Sequence, residues 1–405
     1  MTRIVVVGAG QAGTSLVARM RGRGFEGGIT LIGEEPVPPY QRPPLSKAYL
    51  LGEWPAERLY LRPEAYYGEQ DIELLTGIRV MSIDPDTRTV IVDGDRLAYD
   101  ELVLATGARP RDLPSGIGGG LDGVYPVRTL GDVDSMAQEF QAGARVLVIG
   151  GGYIGLEVAA VAVKRGLAVT VVEMTDRILQ RVAAPQTSEA IRGLHRTRGV
   201  DVREGVGVAG LTGQGRVDGA CLSDGSRIEV DFVIVGIGIL PDIALADAAG
   251  LDIDNGIRTD SFGRTSVPGI WAAGDCASFP FEGRRIRLES VQNAIDQAEA
   301  VADNITGAEA PYQPVPWFWS DQYDLKLQIA GLNTGYSDVV TRREPGTDAL
   351  RESHWYFCPD GRLLAVDAMN DPRAYMVAKR LIEAGKTPDP AVVADPSSNL
   401  KAMLR

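Results

Sequence analysis

Two glycine clusters, and the acids that follow them, are the residues in this chain whose types and spacing best suit chemistry. Gly8, Gly10 and Gly13 stand in RIVVVGAGQAG (3–13), behind the buried-type run Ile4-Val5-Val6-Val7 and ahead of an apolar helical stretch. Gly150, Gly152 and Gly155 repeat the arrangement in RVLVIGGGYIG (145–155). In each G-x-G-x-x-G the first glycine permits a tight turn and the second lets the backbone approach a pyrophosphate. The third lets helix and strand pack closely. The anion then lies on the helix N-terminus, where unpaired N–H groups and the dipole favour negative charge. Such a site also needs an acid for a ribose diol. Glu34 supplies it after a predicted strand at 29–32, and Glu173 supplies it at the end of a predicted strand at 169–173. A carboxylate at 173 repels a 2′-phosphate, which favours NADH; Arg177 and Arg181, a little further on, are the cations that would soften this preference. Two dinucleotide sites in one chain point to electron transfer between two cofactors.

The elements that must hold these residues repeat as well. Each copy closes on a buried strand, a glycine turn and a proline: YDELVLATGARP (99–110) and VDFVIVGIGILP (230–241). The copies are nested, because the first lacks its last strand and closing helix until GIWAAGDCA (269–277) and a predicted helix at 291–305. The expected fold is α/β, with two nested Rossmann-like dinucleotide-binding domains and a C-terminal α+β domain. The expected boundaries are 1–109 with 240–316, then 110–239, then 317–405, and a length of 405 residues accommodates two or three domains. After Trp317-Phe318-Trp319, strand-like pieces at 325–329, 354–357 and 363–366 belong to the last domain. Its tail, with Pro388, Pro390 and Pro396, is expected to be loosely ordered.

Composition removes several classes of function. Two histidines and three cysteines, with no CxxC, leave no zinc cage or disulfide framework, so no metal site and a reducing, cytoplasmic setting are expected. A net charge of −13 gives no global attraction to nucleic acid or anionic membrane. The apolar stretch 146–163 carries Glu157 near its centre and several glycines, so it reads as a strand, turn and helix through a protein core and not as a membrane span. The amino terminus runs into a strand without a small-residue cleavage site, and no signal peptide is expected.

RPPLSKAYL (42–50), LVLATGARPR (102–111), GGGYIGLEVAA (150–160), AGDCA (273–277) and PWFWSDQYDLKLQIAGL (316–332) occur here in one order. Over essentially its whole length the chain resembles the FAD-dependent pyridine-nucleotide oxidoreductases, and within them the NADH–ferredoxin reductases of oxygenase systems. The resemblance implies an FAD domain interrupted by an NAD domain, with the C-terminal domain at the flavin. It assigns FAD to the first copy, with Gly8, Gly10, Ala12, Gly13 and Glu34 around pyrophosphate and ribose. Arg42 and Lys47 would approach the cofactor, with Lys47 near the reactive edge of the isoalloxazine and paired with Glu157. A cation there stabilises the anion formed when the flavin accepts hydride. Val80, Ala105, Thr106, Gly107 and Arg128 match further FAD contacts. Asp275 matches a ribityl partner, and Val291 an N–H donor to the flavin pyrimidine. Glu289 and Ser290 would border the nicotinamide, Tyr153 and Ile154 line its slot, and Trp319 matches an aromatic over the flavin.

Departures narrow the subclass. Disulfide reductases of this superfamily need a cysteine pair beside the flavin, and residues 41–50 contain no cysteine. Cys276 reads as a buried small residue. Electrons would therefore leave the flavin directly, and the resemblance implies that a separate [2Fe–2S] ferredoxin, feeding a cytochrome P450 or a ring-hydroxylating oxygenase, receives them. Arg62, Arg284, Arg285 and Lys326 are the docking candidates. A rubredoxin reductase and an NADH-sensing flavoprotein resembling apoptosis-inducing factor are the alternatives, and both monomer and homodimer are compatible with the sequence.

Overall fold

The computed structural model describes residues 2–344 and 350–405. Two compact units account for them. The first holds residues 1–41, 55–109 and 239–316; the second holds 42–54, 110–238 and 317–405.

In the first unit the β-branched run Arg3–Val7 forms the central strand of a five-stranded sheet, because both its faces are covered by other elements. Its neighbours are Gly28–Ile32 on one side and Glu101–Leu104 on the other, both parallel. Ile72–Leu75 and Ile270–Ala272 form the edges, also parallel. The helices Gln11–Gly22 and Val291–Ile305 pack on each other over one face, where Leu16, Val17, Ala298 and Val301 meet Ile4, Val6 and Val103. Arg19 and Arg23 of the first helix each make paired hydrogen bonds to Asp303 of the second, at 2.7–3.0 Å.

The second unit contains a matching parallel sheet, in the order Asp201–Glu204, Ala168–Glu173, Arg145–Ile149, Phe232–Val235, Val124–Pro126. Each parallel sheet is accompanied by a three-stranded antiparallel meander placed just before its last strand in that run: 80–98 in the first unit, 208–229 in the second. The second unit also carries a five-stranded antiparallel sheet, Trp317–Gln322, Leu325–Gly331, Leu363–Met369, Glu352–Phe357 and Asp338–Arg343 in spatial order, with Pro372–Glu383 packed on it. The α/β class with an antiparallel C-terminal domain is thus observed.

The tail departs from expectation. Pro390–Ala394 is a short helix, and Val393 and Leu400 are fully buried. The guanidinium of Arg342, itself buried, donates to the carbonyl oxygens of Val393, Asp395, Pro396 and Ser398 at 2.5–3.2 Å. Prolines that stop regular structure still leave carbonyls for a remote donor, and that donor orders this tail. Among the described residues no helix is long and apolar enough to cross a membrane.

Candidate active site

Parallel register brings the carboxyl ends of the strands in each unit to one edge, which is where ligands bind in open α/β sheets. In the first unit this edge collects Gly8–Gly10, Gly33–Glu34, Ala105–Gly107 and Ala273–Asp275. Gly8 has φ +114°, and a Cβ on it would lie 2.1 Å from the Ala105 carbonyl oxygen. A Cβ on Gly13 would lie 2.0 Å from the Gly8 carbonyl oxygen. Gly10 differs: a Cβ there would meet nothing within 4 Å. It caps the helix Gln11–Gly22 without a side-chain hydrogen bond, and no acid stands in the first turn. Those N–H groups face open space that a side chain would fill, so the residues present fit a pyrophosphate.

The second unit reproduces this cradle. Gly150 has φ +107° and would set a Cβ 2.4 Å from the Gly236 carbonyl oxygen; Gly155 would set one 2.3 Å from that of Gly150. Gly152 again has nothing within 4 Å and caps Tyr153–Lys164 without a side-chain bond. Glu173 Oε2 accepts from the Gly151 N–H at 2.8 Å, and Oε1 from the backbone and hydroxyl of Thr175. The acid is therefore held against the glycine loop. The Arg177 guanidinium is held by Ser188 and the carbonyl of Ala183.

The other expected residues of the first unit take the following places. Ala12 is buried, with its Cβ about where a side chain on Gly274 would need to go. Glu34 is exposed and 3.6 Å from Arg79. The Val80 side chain lies in the core with Val5, Val7 and Leu104, so only its backbone is available to a cofactor. Thr106 donates to the Asp242 carbonyl at 2.6 Å, and the Gly107 carbonyl accepts from Asp242 N–H, so the Ala105–Gly107 turn is pinned. Arg287 donates to the Asp275 carbonyl and pairs with Glu289 at 2.7 Å. Ser290 caps the helix that Val291 begins, accepting from the Asn293 N–H. Cys276 is fully buried, and burial pushes its thiol up.

Lys47 and Glu157 meet in the second unit. Glu157 Oε2 accepts from Lys47 Nζ at 2.5 Å and from Ser46 Oγ at 2.6 Å, and Oε1 accepts from Ser320 Oγ at 2.7 Å. Glu157 is 2% exposed and Lys47 20%. The turn Pro43–Ser46, with prolines in its first positions, delivers Ser46 and Lys47 together. Arg42 donates to the Arg128 carbonyl at 2.5 Å. The Tyr153 hydroxyl is buried without a hydrogen-bond partner among the described residues, its ring 4.9 Å from Phe318, and burial raises its phenol; Ile154 is exposed. Trp319 is half-buried and lies on the Trp317 face of its strand, ring centroids 5.5 Å apart. Sequence reasoning missed Ser46 and Ser320, although period-2 alternation in WFWSDQ puts Ser320 on the same face as Phe318. It also nominated Arg285 for docking, whereas that guanidinium is tied to the carbonyls of Thr259 and Ser278 at 3.0 and 2.6 Å. Among the described residues no cluster of His, Cys, Asp and Glu could hold a metal ion.

Two glycine cradles on two parallel sheets, with an acid held at the second, define a two-dinucleotide oxidoreductase. The chain belongs to the pyridine nucleotide-disulphide oxidoreductase family, whose model matches residues 2–298; a reductase C-terminal domain matches 317–404. As such it is an oxidoreductase that binds FAD and NAD(P)H. It is 44% identical to a ferredoxin–NAD(P)(+) reductase of Sphingomonas sp., over 99% of this chain and 97% of that protein. Identity to the putidaredoxin reductase of Pseudomonas putida is 42%, over 99% and 96%. The reductase in a crystal structure of the covalent putidaredoxin reductase–putidaredoxin complex superposes with a TM-score of 0.95 at 42% identity, covering 100% of this chain and 98% of that one.

Proposed function

We propose that this chain is an FAD-containing, NADH-dependent reductase that passes single electrons to a [2Fe–2S] ferredoxin of a cytochrome P450 or ring-hydroxylating oxygenase system, in the cytoplasm. The observation that carries the reading is the pair of uncapped glycine cradles combined with a lysine–glutamate pair in a segment that has no cysteine. Its relatives, which are ferredoxin reductases over their full length, support it. FAD, when bound, supplies acceptance of a hydride and release of electrons one at a time.

The chain's residues supply the rest. Gly8–Gly13, Glu34, Ala105–Gly107 and Asp275, in 1–109 and 240–316, hold the FAD. Gly150–Gly155 and Glu173, in 110–239, hold the nicotinamide nucleotide. Glu173 selects NADH because its carboxylate, fixed by Gly151 and Thr175, repels a 2′-phosphate. Lys47 is the cation for the reduced flavin, kept in place by Glu157. Cys276 takes no part, being buried and un-ionised.

The test is steady-state NADH oxidation with and without purified [2Fe–2S] ferredoxins and rubredoxins, with cytochrome c reporting delivered electrons. Strong stimulation by a ferredoxin, slow turnover with oxygen alone and preference for NADH over NADPH are expected. Stimulation by rubredoxin alone would move the partner class; low rates with every carrier while NADH still bleaches the flavin would favour an NADH sensor.

A further inference from the structure

The carboxylate of Glu157 is the end of a longer buried chain than the ion pair requires. Ser320 Oγ donates to Glu157 Oε1 and itself accepts from Gln322 Nε2 at 3.2 Å. Gln322 Oε1 faces His195 Nε2 at 2.8 Å, and His195 Nδ1 faces the Tyr323 hydroxyl at 3.1 Å. Ser320, Gln322 and His195 are 0–1% exposed. They come from two elements: the strand Trp317–Gln322 presents Ser320 and Gln322 on one face, and the helix Pro185–Thr197 presents His195.

Counting hydrogens gives the chain one direction. The Gln322 amide sets it: its Oε1 can only accept, so His195 Nε2 carries the ring hydrogen, Nδ1 accepts and the Tyr323 hydroxyl donates. That hydrogen goes to Gln322 Oε1, which turns the amide –NH2 toward Ser320 and leaves the Ser320 hydrogen for Glu157. Ser46 and Lys47 donate to the other oxygen. Every partner of Glu157 is thus a donor, and a protonated carboxyl would set its own hydrogen against one of them. Burial holds the His195 imidazole at about 4 and pushes the Tyr323 phenol up, so both keep these roles at neutral pH. The charged group on Glu157 is Lys47. At the far end Arg198 stands 5.3 Å over the Tyr323 ring and pairs with Asp324.

We infer that Ser320, Gln322 and His195 are positioning residues for the reductase reaction: a one-way chain of donors that keeps Glu157 a carboxylate and so keeps Lys47 anchored. The inference rests on the flavin role of Lys47 proposed above, but its first test does not. In the holoprotein, infrared spectroscopy across pH follows the protonated-carboxyl band of Glu157, identified by its loss in Glu157→Gln. Ser320→Ala removes one donor to the charged form, so it should shift that band to higher pH than in the parent. Gln322→Leu should move it in the same direction by less, and Ser320→Thr should restore the parent value. Superimposable titrations of the parent and Ser320→Ala would overturn the inference; if Ser320→Ala does not fold, Gln322→Leu decides in the same way.

A second readout is the rate at which NADH bleaches the flavin. It should be several-fold lower in Ser320→Ala than in the parent and restored in Ser320→Thr, because losing a donor loosens Glu157 and with it Lys47. Equal rates in the parent and Ser320→Ala count against the inference. A parent that NADH does not bleach at all would refute the proposed function, while the infrared titration would still decide the donor chain.

Discussion

At the scale of single residues, the glycines separate into two kinds that a motif writes identically. Gly8 and Gly13 are required by the protein itself, since any Cβ would run into backbone at 2.1 and 2.0 Å. Gly10 is not required by packing, since its Cβ would enter empty space, and the proposed function reserves that space for a ligand. Gly10→Ala is therefore expected to fold and melt like the parent while binding FAD about tenfold or more weakly, read from the flavin-to-protein absorbance ratio after dialysis. Gly8→Ala is expected to be recovered poorly or unfolded, because the substitution also strains a left-handed backbone at φ +114°. An alanine at 10 that retains full flavin would show that the cradle does not bind pyrophosphate there. The glycine spacing was legible in the sequence, but which glycines serve the fold and which the ligand depends on what lies within 4 Å.

Element-scale contacts make stability depend on pH in two places. Arg19 and Arg23 hold the Asp303 carboxyl far below the usual carboxylate range, through hydrogen bonds first and charge second. A depressed carboxyl stabilises the fold above its unfolded value of about 4, and that stability is lost as pH falls below it. Asp303→Asn should cost about 1 kcal/mol at neutral pH, screened because Arg23 is half exposed, and less in acid; melting temperatures at both pH values check it. His195 works at higher pH. Its folded value of about 4, against about 6.5 unfolded, means that stability present above pH 6.5 is lost as pH falls toward 4. That loss amounts to about 3 kcal/mol, and His195→Gln should flatten the profile across this window, measured by denaturant titration. A variant as pH-sensitive as the parent would place the acid limb elsewhere. The helices carrying Arg19 and Asp303 were legible in the sequence. The contact between Arg19 and Asp303 was not, since they stand 284 positions apart.

For the whole molecule, a net charge of −13 makes association with an acidic electron carrier depend on local cations. Of the four arginines and lysines picked from sequence, Arg285 is bound to carbonyls, whereas Arg284 and Lys326 are exposed and Arg62 stands 5.5 Å over the Tyr66 ring. Arg62→Glu is expected to raise the apparent KM for ferredoxin several-fold, more at low salt than at high, while bleaching by NADH stays as in the parent. Unchanged ferredoxin kinetics would remove Arg62 from the docking surface. What the sequence determined by itself was local in origin. Glycine cradles, the strands before them and the acids after them follow from steric demands that act over a few residues, so their spacing is written in the chain, and written twice. Only the tertiary structure decided what surrounds Glu157. Its partners Ser46, Lys47 and Ser320 lie 111, 110 and 163 residues away. Periodicity says which face a side chain occupies but not what packs opposite. A buried carboxylate is tolerated only where remote segments bring enough donors to replace water.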